Sequence, residues 1–154
     1  MLTQEELKKH LSYNPETGLF TWLNIRKMKG KIAGSNCHQY IRINIRGKKY
    51  LAHRLAWLYM TGNWPKNQID HKDRNKSNNS FINLREATRS QQQANSKTTG
   101  KWGRGISKNK NKWRACIYLN NKRIHLGNFY TIEEAKEIYN NKAKELFGEF
   151  ILTN

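Results

Sequence analysis

The sequence predicts an α+β protein in two parts, and three observations carry that reading. Apolar and polar residues alternate with a period of two at 40–46 and again through 113–126, the mark of half-buried antiparallel strands. Two helix starts carry capping signals: Thr3 with Glu6 three residues on, and Thr131 with Glu133 and Glu134 in the first turn. The chain also changes character after residue 98, where a mixture of helices, hairpins and an asparagine-rich loop gives way to three strands followed by one helix. The expected domains are therefore 1–98 and 99–154, the second a three-stranded antiparallel sheet packed on one helix.

Each element can be justified in order. Thr3 caps a short helix over 3–11. Asn14-Pro15 and Gly18 form a turn, and 19–23 follows as a strand. Residues 24–36 are basic and read as an irregular loop. From 39 to 52 the pattern is a hairpin, with Ile41, Ile43 and Ile45 on one face, Tyr40, Arg42, Asn44 and Arg46 on the other, and Gly47-Lys48 at the turn. A helix over 53–61 follows, with Leu55, Leu58 and Tyr59 at helical spacing and Gly62 as its stop. After 66 comes a strand ending in Asp70-His71, then a polar loop over 72–80, a short strand opening at Asn83-Leu84-Arg85 and a helix over 89–95. This β-β-α succession is joined to the last domain by Thr98-Thr99-Gly100. Strands are expected at 103–107, 112–119 and 122–127, then a helix from Thr131 to about 147, packing through Ala135, Ile138, Tyr139 and Ala143.

Charge narrows the partners. The 154 residues hold 29 Lys and Arg against 11 Asp and Glu, a formal net charge of +18, and such an excess calls for a polyanion. The positive residues are spread over strands and loops among Trp, Tyr and Asn, which favours nucleic acid over a membrane surface, where one long amphipathic helix would carry them. No apolar run is long enough to cross a bilayer, and the first residues lack the apolar core of a signal peptide, so a cytoplasmic protein is expected. Cys37 and Cys116 stand far apart with no C-x-x-C pair, which argues against a structural zinc or a redox motif and for two unpaired thiols.

The segment 69–95 has the residue types that phosphodiester hydrolysis needs. A hard cation must offset charge on the leaving oxygen, and a base must deprotonate a water. Asp70 offers an oxygen ligand suited to Mg²⁺ or Mn²⁺. His71, next to it on a strand, points to the opposite side and titrates near neutrality. Asn83 is placed to fix the histidine's tautomer by a hydrogen bond.

The motifs A-H-R-L-A-W, I-D-H-K-D and N-N-x-x-x-N-L-R-x-A-T, spanning 53–95, together with Y-N-P-E-T-G-L-F-T-W at 13–22, resemble the HNH endonucleases common in bacteriophages. The resemblance implies a β-β-α fold holding one divalent metal. It makes Asp70 a metal ligand, His71 the general base and Asn83 the brace of the loop and the histidine. In the family a second ligand, His or Asn, stands on the helix nine residues beyond the bracing Asn. Here that place is Gln92, whose amide oxygen can also take a hard cation, and Asn95 lies one helical turn further on. His53 belongs to the family pattern too, as a structural residue at a helix start.

The C-terminal part adds a reading surface. Lys101 to His125 contains no Asp or Glu. Arg114, Cys116 and Tyr118 alternate with apolar neighbours, as do Arg123 and His125, giving one apolar face and one basic, aromatic face fit for a DNA groove. The stretch R-G-I-S-K…K-W-R-A-C-I-Y…R-I-H-L-G-N-F-Y-T-I-E-E-A-K-E-I-Y resembles the DNA-binding domain of plant ethylene-response factors, which phage HNH nucleases also often carry. By that resemblance Arg104, Arg114, Tyr118, Arg123 and His125 match groove-facing places. Independently, the polar face of the 39–52 hairpin makes Arg42 and Arg46 candidate phosphate contacts.

The expectation is thus a metal-dependent DNA endonuclease, one of a class often found as mobile-element or homing enzymes, acting on duplex DNA as a monomer and nicking. It would have no membrane or protein partner and work in the bacterial host cytoplasm if of phage origin. The alternatives are a DNA-binding protein with an inactive nuclease centre and, third, an RNA-binding protein.

Overall fold

The computed structural model describes residues 1–24, 26–95 and 100–151. It is mixed α and β, with antiparallel sheets throughout the described residues, and it divides into two compact units, Met1–Ala87 and Thr88–Asn154. The division falls ahead of the 98/99 boundary expected from composition, because the helix over Arg89–Asn95 bonds into the second unit. The Ser90 hydroxyl accepts the Asn120 N–H at 2.9 Å, and Arg104 donates to the carbonyls of Gln93 and Ala94. Thr98 and Thr99, the expected linker, lie outside the described residues.

The first unit opens with α1 (Gln4–His10), started by a full capping box: Thr3 Oγ1 accepts from the Glu6 N–H and the Glu6 carboxylate from the Thr3 N–H. β1 (Leu11–Tyr13) and β2 (Phe20–Trp22) form a hairpin. The loop expected at 24–36 holds a further strand, β3 (Ser35–Cys37), paired with β4 (Tyr40–Ile45), which in turn pairs with β5 (Lys48–Leu51). β4 and β5 meet through Arg46-Gly47, both at positive φ, so Arg46 sits in the tight turn, exposed and 3.5 Å from Glu6, and is not a strand residue. α2 (Ala52–Thr61) ends at Gly62 in the left-handed conformation. Leu7, Leu11, Phe20, Ile43, Leu55 and Leu58 are almost wholly buried and make the core that these elements share.

On that core rests a two-stranded ribbon, β6 (Gln68–His71) with β7 (Leu84–Ala87), registered Asp70 opposite Arg85 and His71 opposite Leu84. Ile69, Leu84 and Ala87 are buried and anchor it. A short 3₁₀ turn, Phe81–Asn83, leads into β7.

The second unit carries α3 (Arg89–Asn95), a sheet in the order β10-β9-β8, and α4 (Ile132–Phe147). β8 (Ile106–Asn109) starts later than expected. Gly103 and Gly105 have φ of +108° and +70°, and a Cβ on Gly105 would meet the Cys116 carbonyl oxygen at 2.2 Å and the Tyr139 ring at 2.4 Å, so this stretch is a close-packed turn. β9 (Lys112–Leu119) pairs with both neighbours, and β10 (Lys122–Phe129) shifts register between His125 and Gly127. Thr131 caps α4 with a capping box. The helix buries Ala135, Tyr139, Ala143 and Phe147. Ile138, expected on that face, is 39% exposed, because the stripe steps by four residues and leaves it to one side.

Candidate active site

The end of β6 places a buried carboxylate and a buried imidazole side by side. Asp70 and His71 are 6% and 4% exposed, although both are polar. Asp70 is held from the facing strand: Arg85 donates from Nε at 3.1 Å and from Nη2 at 3.0 Å to Asp70 Oδ2, a buried ion pair that follows from the β6–β7 register.

The loop from Lys72 to Ser80 is closed by side-chain amides. Asp73 accepts at Oδ1 from the Asn75 N–H (2.8 Å) and from Asn83 Nδ2 (2.9 Å), and at Oδ2 from Asn78 Nδ2 (2.7 Å). Asn83 also accepts from the Asp73 N–H at 3.0 Å and donates to the Asn78 carbonyl at 2.8 Å. Burial raises the Asp73 carboxyl pKa, but the hydrogen bonds from Asn78, Asn75 and Asn83 outweigh it and hold the group below its usual range. Asn83 thus braces the loop, while its side-chain bonds run to Asp73 and Asn78 instead of to the histidine.

The residue beside the imidazole is Asn79, which sequence reasoning did not single out. It is 2% exposed, and its Oδ1 lies 3.3 Å from His71 Nε2. Asn79 Nδ2 donates to the Ser77 carbonyl at 3.1 Å, which fixes the amide with its oxygen toward the ring. His71 Nε2 therefore carries the hydrogen, and Nδ1 is the basic nitrogen of the neutral ring. Burial lowers the His71 pKa; Asn79, Asp73 and Asp70 work against that shift and Lys76 adds to it. The ring is neutral, and so fit to accept a proton, at neutral pH.

His53, on the first turn of α2, packs edge-on against His71 with ring centroids 5.1 Å apart, and Tyr40 lies over both rings at 5.3 and 6.2 Å. His53 is 5% exposed and its Nδ1 has no hydrogen-bond partner among the described residues. Burial, then the nearby His71 and Arg54 charges, push its pKa down to about 3. A histidine depressed in the fold favours folding above its unfolded pKa of about 6.5 and loses that contribution as pH falls toward about 3. Urea unfolding should therefore show about 2–3 kcal/mol less stability at pH 4.5 than at pH 7 from this group. His53→Asn should flatten the difference; an unchanged pH slope in the variant would contradict the assignment.

The remaining expected site residues lie elsewhere. Arg42 is half-buried on β4. Gln92 is half-buried and Asn95 is 2% exposed on α3, in the second unit. On the C-terminal sheet, the pairings Tyr118 with Arg123 and Cys116 with His125 put these residues and Arg114 on one face, where Tyr118 is 55% exposed. Arg104 is turned to α3 and bonds the carbonyls of Gln93 and Ala94, because the turn at Gly103 and Gly105 takes it out of the strand alternation. No helix among the described residues is long and apolar enough to cross a membrane.

A family model for HNH endonucleases matches residues 50–94, from the end of β5 through most of α3. That stretch is similar to the HNH endonucleases. The HNH segment contains His53, Asp70, His71, Asn79, Asn83 and Gln92; the hairpin arginines and the C-terminal sheet lie outside it. Over 110 residues the chain is 38% identical to an uncharacterized HNH endonuclease, L560, of Acanthamoeba polyphaga mimivirus, covering 70% of this chain and 58% of that protein. It is also similar to a solved structure titled for DNA binding and cleavage by the HNH homing endonuclease I-HmuI. There the identity is 31%, the TM-score 0.41, and the match covers 51% of this chain and 47% of that one. The chain thus spans about half of the lengths of these two HNH proteins.

Proposed function

We propose that the chain is a metal-dependent DNA endonuclease that hydrolyses phosphodiester bonds and cuts one strand per binding event. The observation that carries this reading is the buried Asp70–His71 pair, with His71 neutral and its Nε2 turned to Asn79. In the reaction His71 Nδ1 takes a proton from a water as that water's oxygen attacks phosphorus; the P–O bond to the sugar breaks and the leaving oxygen is protonated by solvent. The donor at this centre suits a hard cation: Asp70 brings a carboxylate oxygen, the chemistry that Mg²⁺ or Mn²⁺ takes. When bound, the cation offsets charge developing on the phosphate and leaving oxygen.

We take the C-terminal sheet to be a duplex-DNA reader like that of the ethylene-response factors, presenting Arg114, Tyr118, Arg123 and His125. Its one-sided face supports this, and the net charge of +18 supplies the phosphate affinity. Arg42 and Arg46 extend the phosphate contacts. One β-β-α unit offers one centre, hence nicking, and the type of enzyme is that of mobile elements.

The test is supercoiled plasmid with Mg²⁺ or Mn²⁺ beside an EDTA control. Conversion to open circle that EDTA abolishes is expected. Tight, salt-sensitive binding without cleavage on several plasmids would favour a binding protein with an inactive centre, the reading that glutamine at position 92 keeps in play.

A further inference from the structure

Outside the HNH segment, the N-terminal hairpin reaches the residue that holds His71. The Tyr13 hydroxyl, on a side chain 7% exposed, donates to the Asn79 carbonyl at 2.7 Å. The Pro15 carbonyl accepts the Phe81 N–H at 2.8 Å. Between them Gly18, at φ +73°, lies against the peptide joining Asn79 to Ser80; a Cβ there would stand 2.3 Å from Asn79 C and from Ser80 N. Asn14 shapes the turn that presents Gly18, its Oδ1 accepting the N–H groups of Glu16 and Thr17. Burial raises the Tyr13 phenol's pKa, so it remains a protonated donor.

These contacts grip the backbone of 79–81 from one side, while the Asn79 side chain faces His71 from the other. We infer that Tyr13 and Gly18 are positioning residues for the nuclease centre: the hairpin turn over 13–18 sets Asn79, and through it the tautomer and orientation of His71. The inference rests on the proposed role of His71 as the base, and it gives the N-terminal hairpin a part in the chemistry without contact with substrate. The physical reason is that an asparagine in a loop rich in turns would swing with its backbone. A base displaced by a fraction of an ångström loses much of its advantage.

Tyr13→Phe keeps the ring and removes the hydroxyl, so it is the variant least expected to disturb folding. Two readouts decide. Long-range ¹H–¹⁵N correlation of the imidazole nitrogens should show His71 protonated at Nε2 in the wild type and a mixture of tautomers in Tyr13→Phe and Asn79→Ala. Single-turnover cleavage should fall about tenfold in each variant with duplex affinity unchanged, and the double variant should be no slower than Asn79→Ala alone. A merely structural tyrosine would instead lower the melting temperature and leave tautomer and rate alone. An unchanged His71 tautomer in Tyr13→Phe, or rate losses that multiply in the double variant, would overturn the inference. If the wild type never cuts while the tautomer still shifts, the positioning stands and the nuclease reading falls. Gly18→Ala, which forces the 79–80 peptide to move, should reproduce the tautomer change in whatever fraction folds.

Discussion

Replacing His71 by alanine is expected to slow cleavage by roughly 10²–10⁴-fold while leaving the affinity for duplex DNA unchanged. The imidazole is the group at this centre that is buried, neutral and oriented by an amide fixed at both ends. In the proposed reaction its removal takes away the acceptor for the water's proton. Affinity should persist because phosphate contacts from the many Lys and Arg supply it, and a side chain 4% exposed adds little. The measurement is a single-turnover nicking rate beside a binding isotherm at one fixed salt concentration. A variant that cuts as fast as the wild type would remove His71 from the mechanism. One that loses binding in parallel would mean that it holds the loop instead.

Asp70→Ala should abolish metal-dependent cleavage and also weaken the fold, by about 3–5 kcal/mol, because Arg85 is left buried without the carboxylate that faces it. The two losses have different causes and can be separated. Adding Arg85→Met to Asp70→Ala replaces the pair by apolar volume and should recover most of the stability, since well-packed apolar residues often match a buried ion pair. Cleavage and divalent-metal binding should stay absent in the double variant. Calorimetric titration with Mn²⁺ and urea unfolding, on both variants, read the two effects independently. Restored cleavage in the double variant would show that Asp70 serves the fold alone.

Much of this architecture was legible because it rests on local signals. Thr3 and Thr131 announce their helices through capping boxes that need only four residues, and the isoleucines of β4 announce their face by alternation. Asp70, His71 and Asn83 stand out by spacing. What escaped depends on the third dimension or on weak local pattern. β3 is three residues, Ser35–Cys37, with neither alternation nor bulk, and it is a strand only because β4 pairs with it. Asn79 sits in a loop of several asparagines, any of which satisfies turns, so composition cannot tell which one faces the ring. Arg85 meets Asp70 through the ribbon's register. Arg104 counts as groove-facing only if the strand begins at 103, and the two positive-φ glycines, visible in the sequence, are the signal that it does not.

The sheet borders have a consequence for handling the molecule. β3 presents exposed Ser35 and Asn36, β5 exposed Lys48 and Lys49, β8 exposed Ser107, Lys108 and Asn109, and β10 exposed Lys122 and Arg123. Outer strands dressed in this way resist pairing with strands of another copy, three of the four by cationic repulsion. That repulsion reaches about 10 Å in 0.1 M salt and about 3 Å in 1 M. High salt thus removes the force that keeps its strand borders apart, so the protein's colloidal stability is best at low ionic strength, where the proposed phosphate contacts are also strongest.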